Sequence, residues 1–212
     1  LIDSGVESGF RDPDGNERVG SLVASAMRTS DLQIHATTAE WLAGRPAGRD
    51  EPLAGVFLSH LHLDHVMGLP DVPPGTPIYA GPGETRASRF LHLFTRGTID
   101  RMLESSGPIR EWRYAEDAGG RFAGVVDVFG DASVWALHVP GHTPGSTAYL
   151  VRTPDGPVLF TGDASHTRWG RDHGVEPGTF SLDGPLSARS LAALRRLAED
   201  VPAIEVRPGH QE

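Results

Sequence analysis

Four side chains able to bind a metal fall within six residues of the stretch Ser59-His60-Leu61-His62-Leu63-Asp64-His65. Neutral imidazoles suit Zn²⁺, iron and related ions, and a carboxylate adds charge compensation. In a strand, His60 and His62 would point to one face, and a following turn would aim Asp64 and His65 at a neighbouring point. One loop could thus feed two adjacent metals. The competing reading is a solvated histidine-rich turn. Three more donors weigh against it: His142 in Val139-Pro140-Gly141-His142, Asp163 in Phe160-Thr161-Gly162-Asp163, and His210 in Arg207-Pro208-Gly209-His210. Each follows an apolar strand and a glycine, so these donors are expected to converge on one edge of a sheet sandwich. The chain has ten histidines and no cysteine, so any metal site is built from His, Asp and Glu.

The elements that position these donors follow from hydrophobic periodicity. Leu1-Ile2-Asp3 reads as a strand end running into a turn. Residues 17–28 carry helical spacing, and a short helix is expected over Thr37–Ala43, followed by a polar loop over Arg45–Glu51. Leu53–Leu58 and Pro77–Ala80 read as strands, and Glu84–Leu103 as mostly helical. Val125–Phe129, Val134–Val139, Thr147–Val151 and Val158–Thr161 read as successive strands. Leu186–Ala198 is the clearest helix, with Leu191, Leu194 and Leu197 on one side, and Ile204–Val206 is a last strand. Trp112 and Trp135 read as core.

At 212 residues the chain suits a single domain over 1–212, or two small halves closely packed. The 26 glycines and 17 prolines lie between apolar runs, as in a compact strand-rich fold. A net charge of −9 opposes nucleic-acid binding and, more weakly, anionic membranes. No transmembrane run or signal peptide is visible, which predicts a cytoplasmic protein. The chain opens on Leu1 rather than Met, inside what reads as a strand, so a missing upstream segment is expected.

The order H-x-H-x-D-H, then a distant His, Asp and His, resembles the metallo-β-lactamase-fold hydrolase superfamily over nearly the whole chain, from Leu1 to His210. The resemblance implies an α/β (α+β) fold, a four-layer αββα sandwich. It also implies a centre of two divalent metal ions, Zn²⁺ first, with Fe, Mn or Co as alternatives. His60, His62 and His142 would bind one metal, Asp64, His65 and His210 the second, and Asp163 would bridge them. Such a centre makes hydroxide from a bridging water near neutral pH and polarises a carbonyl.

Asp163 separates the chain from the true β-lactamases of this fold, and His62 from the flavodiiron oxygen reductases, which carry an acidic residue there. The stretch Asp163-Ala164-Ser165-His166-Thr167 and the later Phe180-Ser181-Leu182-Asp183 resemble the N-acyl homoserine lactonases. These place a tyrosine where His166 stands. The resemblance thus implies hydrolysis of a lactone or other carboxylic ester. Asp64 would pass a proton to the leaving alkoxide and His166 would support the oxyanion; the alternative for His166 is an ordinary loop histidine. A mononuclear iron enzyme like the persulfide dioxygenases, using His60, His142 and Asp163, is one alternative activity. A thioesterase like glyoxalase II is another, although its glutathione-binding region lies beyond the last histidine, where this chain has only two residues. The partner is a small-molecule substrate, with no nucleic acid and no membrane, and a homodimer is compatible with the resemblance. A non-catalytic metal-binding or sensing module is the rival from another class, opposed by the presence of all seven ligands.

Ser59, Thr143, Ser146 and Thr161 are candidates to orient the ligands. Asp3 reads either as approaching the site or as a turn residue. Trp169, Arg171 and His173 read as pocket lining or as ordinary loop. His35, His92 and His138 have no motif around them and read as non-ligands.

Overall fold

The computed structural model describes residues 1–45, 51–87, 90–104 and 106–210. Positions 46–50 of the expected polar loop, residues 88 and 89 of the expected long helix, and the His92 side chain lie outside what is described. The chain divides into two compact units, Leu1–Tyr79 with Ser88–Arg110, and Ala80–Ala87 with Glu111–Glu212.

In the first unit, the helical pattern of residues 17–28 is split. A 3₁₀ turn spans Gly15–Val19 and helix α1 spans Ser21–Met27, because Gly20 between them takes φ +80°. Helix α2 (Thr38–Ala43) starts at a capping box: the Thr37 hydroxyl accepts from the Glu40 N–H, and the Glu40 carboxylate accepts from the Thr37 N–H. Strand β1 is only Val56–Phe57, shorter than expected, with the Leu58 N–H making a last ladder bond to the Tyr79 carbonyl. Where Leu1–Asp3 is expected to end a strand, Ile2 makes only an isolated parallel bridge to Phe57. After β1 the chain turns into a single helical turn, α3 (Leu63–Val66), rather than continuing extended. Buried Leu63 and Val66 hold that turn against the core. Strand β2 (Ile78–Ala80) runs parallel to β1, and α4 (Phe90–Leu103) anchors itself by Thr98 Oγ1 donating to the Val19 carbonyl at 3.0 Å. Strand β3 (Ile109–Glu111) completes a sheet ordered β1-β2-β3. Two of its three residues are charged and it is largely exposed, so no hydrophobic pattern announces it.

The second unit is built on a sheet ordered β4-β5-β6-β7-β8: Gly124–Asp127, Val134–His138, Thr147–Thr153, Gly156–Phe160 and Glu205–Arg207. The first four are antiparallel neighbours, and β8 lies parallel to β7. Leu137, Ala148 and Leu159 form its core with Leu194 of the last helix. Two helices precede β8. Helix α5 (Arg168–His173) falls where only a loop was expected; its signals were Thr167, whose Oγ1 accepts from the Gly170 N–H, and Gly174 at φ +70° as a left-handed stop. Helix α6 (Gly184–Asp200) is capped by Asp183, which accepts from the Leu186 N–H, and starts with Pro185. Its buried Leu191 and Leu194 each contribute about 1.5–3 kcal/mol of apolar burial. Trp112 is core as expected, its indole N–H donating to the buried Tyr149 hydroxyl at 3.1 Å.

No helix among the described residues is long and apolar enough to cross a membrane.

Candidate metal centre

In the first unit, His60 and His62 lie beyond β1, so strand alternation does not set their directions. A hydrogen-bonded bracket around Asp3 organises this half instead. The Ser59 N–H donates to Asp3 Oδ1 at 2.7 Å, and Ser59 Oγ donates to Asp3 Oδ2 at 2.9 Å. A carboxylate only accepts, so the same Oδ2 takes the Nδ1–H of His65, 2.9 Å away. Ser59 Oγ, its proton already committed to Asp3, accepts from His60 Nδ1 at 3.1 Å. Both rings thereby carry their hydrogen on Nδ1, the tautomer in which a ligand histidine binds a metal through Nε2. The rings gather closely: His60 to His62 at 4.4 Å between centroids, and His60 to His65 at 4.1 Å. Asp64 is the most open of the four donors, with one oxygen 3.6 Å from His65 Nε2. Asp3 thus belongs to the site as well as to the turn, its φ of +47° letting the carboxylate face back across β1.

Asp3→Asn tests this bracket, since asparagine tolerates the left-handed backbone but loses the charge. Metal affinity, measured by competition with a chromophoric chelator, is expected to fall about 10–100-fold. An unchanged affinity would leave Asp3 with a turn role only.

In the second unit, adjacent parallel strands deliver two donors side by side. The Thr161 N–H bonds to the Arg207 carbonyl at the ends of β7 and β8, and the chain then reaches Asp163 on one strand and His210 on the other. His210 Nε2 lies 3.0 Å from Asp163 Oδ2. Gly209 permits this approach: a Cβ there would sit 2.1 Å from Asp163 Oδ1. His142 follows β5 on a loop closed by Thr143 and Ser146, and its Nε2 is 3.6 Å from the same Asp163 oxygen. The loop is strapped to the start of α6, with the Leu182 N–H donating to the His142 carbonyl and the Asp183 N–H to that of Gly141. Buried Glu84 accepts from the Gly145 N–H at 2.7 Å on its other side. His166 joins the group, its Nε2 3.1 Å from Asp163 Oδ2.

His138 stands apart from these donors. It stacks on Tyr114 at 4.8 Å and donates from Nε2 to the Pro144 carbonyl, and burial holds it below the usual imidazole range despite that bond. Trp169 stacks on His173 at 4.3 Å, and Phe180 lies 5.8 Å from the His166 ring; both Trp169 and Phe180 are largely exposed. Arg171 is occupied otherwise, donating to the Val206 carbonyl and pairing with Asp172.

The donor set fits divalent ions chemically. It offers imidazole nitrogens with their second nitrogens committed in the first unit, and in the second a buried carboxylate surrounded by imidazoles. The metallo-beta-lactamase superfamily model matches residues 35–210, and the chain belongs to that superfamily. It is 33% identical over 165 residues to the N-acyl homoserine lactonase AttM of Agrobacterium fabrum, a match covering 73% of this chain and 57% of that protein. The chain thus spans little more than half the length of the curated relatives it matches. Among solved structures, a quorum-quenching N-acyl homoserine lactone lactonase aligns with TM-score 0.60 at 22% identity, over 100% of this chain and 74% of that one. AidC, a dizinc quorum-quenching lactonase, aligns with TM-score 0.60 at 18% identity, over 100% and 68%. The mixed α and β chain has the metallo-β-lactamase fold that its motifs implied.

Proposed function

We propose that this chain is a binuclear metal-dependent hydrolase that opens a lactone or cleaves another carboxylic ester. The observation that carries this reading is the convergence of the imidazoles of His210, His166 and His142 on one buried oxygen of Asp163, at 3.0, 3.1 and 3.6 Å. A carboxylate oxygen so surrounded is the natural seat of a cation that both residue types can share. Following the family's motif, His60, His62 and His142 would hold one ion, Asp64, His65 and His210 the other, and Asp163 would be shared by both. The ions supply an activated water and a Lewis acid for the carbonyl oxygen.

The chain's own residues then do the following. Asp3 and Ser59 keep His60 and His65 in the tautomer that presents Nε2. Asp64, the most open donor of the first unit, would carry the proton released from water to the leaving alkoxide, so that water and lactone end as a hydroxy acid. The exposed aromatic ring of Phe180, 5.8 Å from that of His166, would give an acyl chain an apolar surface. The relatives' names favour this reading over an iron persulfide dioxygenase or a glyoxalase II-like thioesterase. They also put N-acyl homoserine lactones first in any substrate panel.

The test is a panel of N-acyl homoserine lactones, simple lactones and aryl esters, run with zinc-loaded and chelator-stripped protein. Hydrolysis that needs metal is expected. Asp64→Asn is expected to lower kcat about 10²–10⁴-fold, the range a positioned proton carrier supplies. Metal-loaded protein that hydrolyses nothing yet consumes oxygen with a persulfide would overturn the proposal.

A further inference from the structure

His166 is where the chain departs from the lactonase motif, and its surroundings differ from those of a loop residue serving only as a hydrogen-bond donor. Its side chain is 27% exposed, and its Nε2 is buried. That nitrogen is 3.1 Å from Asp163 Oδ2, yet out of line for a hydrogen bond to it. Two neighbouring donor atoms bound to one ion at about 2.0–2.2 Å stand roughly 3.0–3.5 Å apart. The His166–Asp163 and His210–Asp163 separations, 3.1 and 3.0 Å, match that ligand-to-ligand spacing.

The backbone also pairs the two histidines. The His210 N–H donates to the His166 carbonyl at 3.2 Å, and the rings face each other at 4.5 Å with 31° between their planes. Neighbours on either side keep His166 in place. Buried Ser165 donates to the Thr167 and Val175 carbonyls, and Thr167 caps α5. The ring therefore stands on a fixed turn rather than on a free loop.

We infer that His166 is itself a metal ligand, the eighth of the centre, binding through Nε2 the ion held by Asp163 and His210. The inference rests on the metal-centre reading above but not on the substrate. It replaces the oxyanion-supporting role that the family's tyrosine suggests. It also gives one ion a set of two imidazoles and a carboxylate drawn wholly from the second unit, a set that suits Zn²⁺, Co²⁺ and Fe²⁺ alike.

Cobalt reconstitution of the full chain tests it, with wild type, His166→Ala and His166→Gln compared for ion content, d–d absorption and ¹H NMR, and folding checked by circular dichroism. Both variants are expected to hold one ion as wild type does and the other at least about 100-fold more weakly, beyond what loss of an outer partner costs. At saturating Co²⁺ one exchangeable, hyperfine-shifted imidazole N–H is expected to vanish. If the variants do not fold, the wild-type spectrum still decides: His60, His62, His65, His142 and His210 give five such signals, and a sixth belongs to His166. Variants with wild-type affinity and spectrum, or only five signals in wild type, overturn the ligand role and leave the metal centre standing. A wild-type chain that takes up no cobalt overturns both.

Discussion

Replacing Asp163 with alanine is expected to strip the chain of bound metal and to lower hydrolysis by more than about 100-fold, beyond the 10–100-fold typical of losing a supporting residue. Asp163 is buried, and its Oδ2 is the atom on which His142, His166 and His210 converge. Without it the three imidazoles face one another with no negative charge to balance a dication, and the water between two metals loses its shared anchor. The fold should tolerate the change. Alanine is smaller than the carboxylate it replaces, so it brings no new collision with the close-lying Gly209. The thermal midpoint of the metal-free protein should accordingly stay near that of metal-free wild type while ion content falls. Two ions per chain with wild-type turnover in Asp163→Ala would sink both the bridging role and the proposed chemistry.

Gly141→Ala is expected to be the most damaging of the small substitutions around the site. Gly141 has φ +135°, and a Cβ there would lie 2.1 Å from the Ser187 N and 2.4 Å from its Cα, both backbone atoms in the first turns of α6. Backbone strain of about 1–3 kcal/mol adds to overpacking of similar size, so a loss of roughly 2–6 kcal/mol is expected. For a protein of this size that is a fall of about 5–20 °C in Tm. The damage reaches the chemistry because the next residue is His142, whose carbonyl is tied to Leu182. Gly130→Ala is the matched control: it too has positive φ, +76°, but open space where a Cβ would go. Differential scanning calorimetry on the two variants separates strain from collision. Equal losses would mean that the start of α6 yields to a Cβ at Gly141.

Much of this was legible in the sequence because ligand chemistry and strand periodicity are local signals. Val134–His138, Thr147–Thr153 and α6 appear nearly where apolar spacing put them. The donors His142, Asp163 and His210 follow β5, β7 and β8 as the glycine-ended motifs implied. What was not legible depended on partners distant in the chain. The Asp3 bracket joins residues 56 and 62 positions apart, and no periodicity marks it. Helix α5 carries no apolar stripe, only its caps. Strand β3 has no sequence signal, because the backbone pairing that defines it leaves no trace in Ile109-Arg110-Glu111. His166 looked like a substitution for a tyrosine, and only its distance to Asp163 gives it a different role.

The strand order of the second unit also orders its assembly in time. β4 to β7 pair with immediate sequence neighbours, so each contact closes a short loop and the meander can form early. β8 pairs with β7 only after α5 and α6 have been crossed, a much longer and slower closure. His210 sits just past β8, so the donor set becomes whole at the end of folding rather than at its start. On that order a cation bound by Asp163 would act not as a template for the meander but as a latch on the last strand to arrive. In that sense a bound cation would guard the C-terminal edge of the sheet against fraying, a mechanical duty separate from any chemistry done on a substrate.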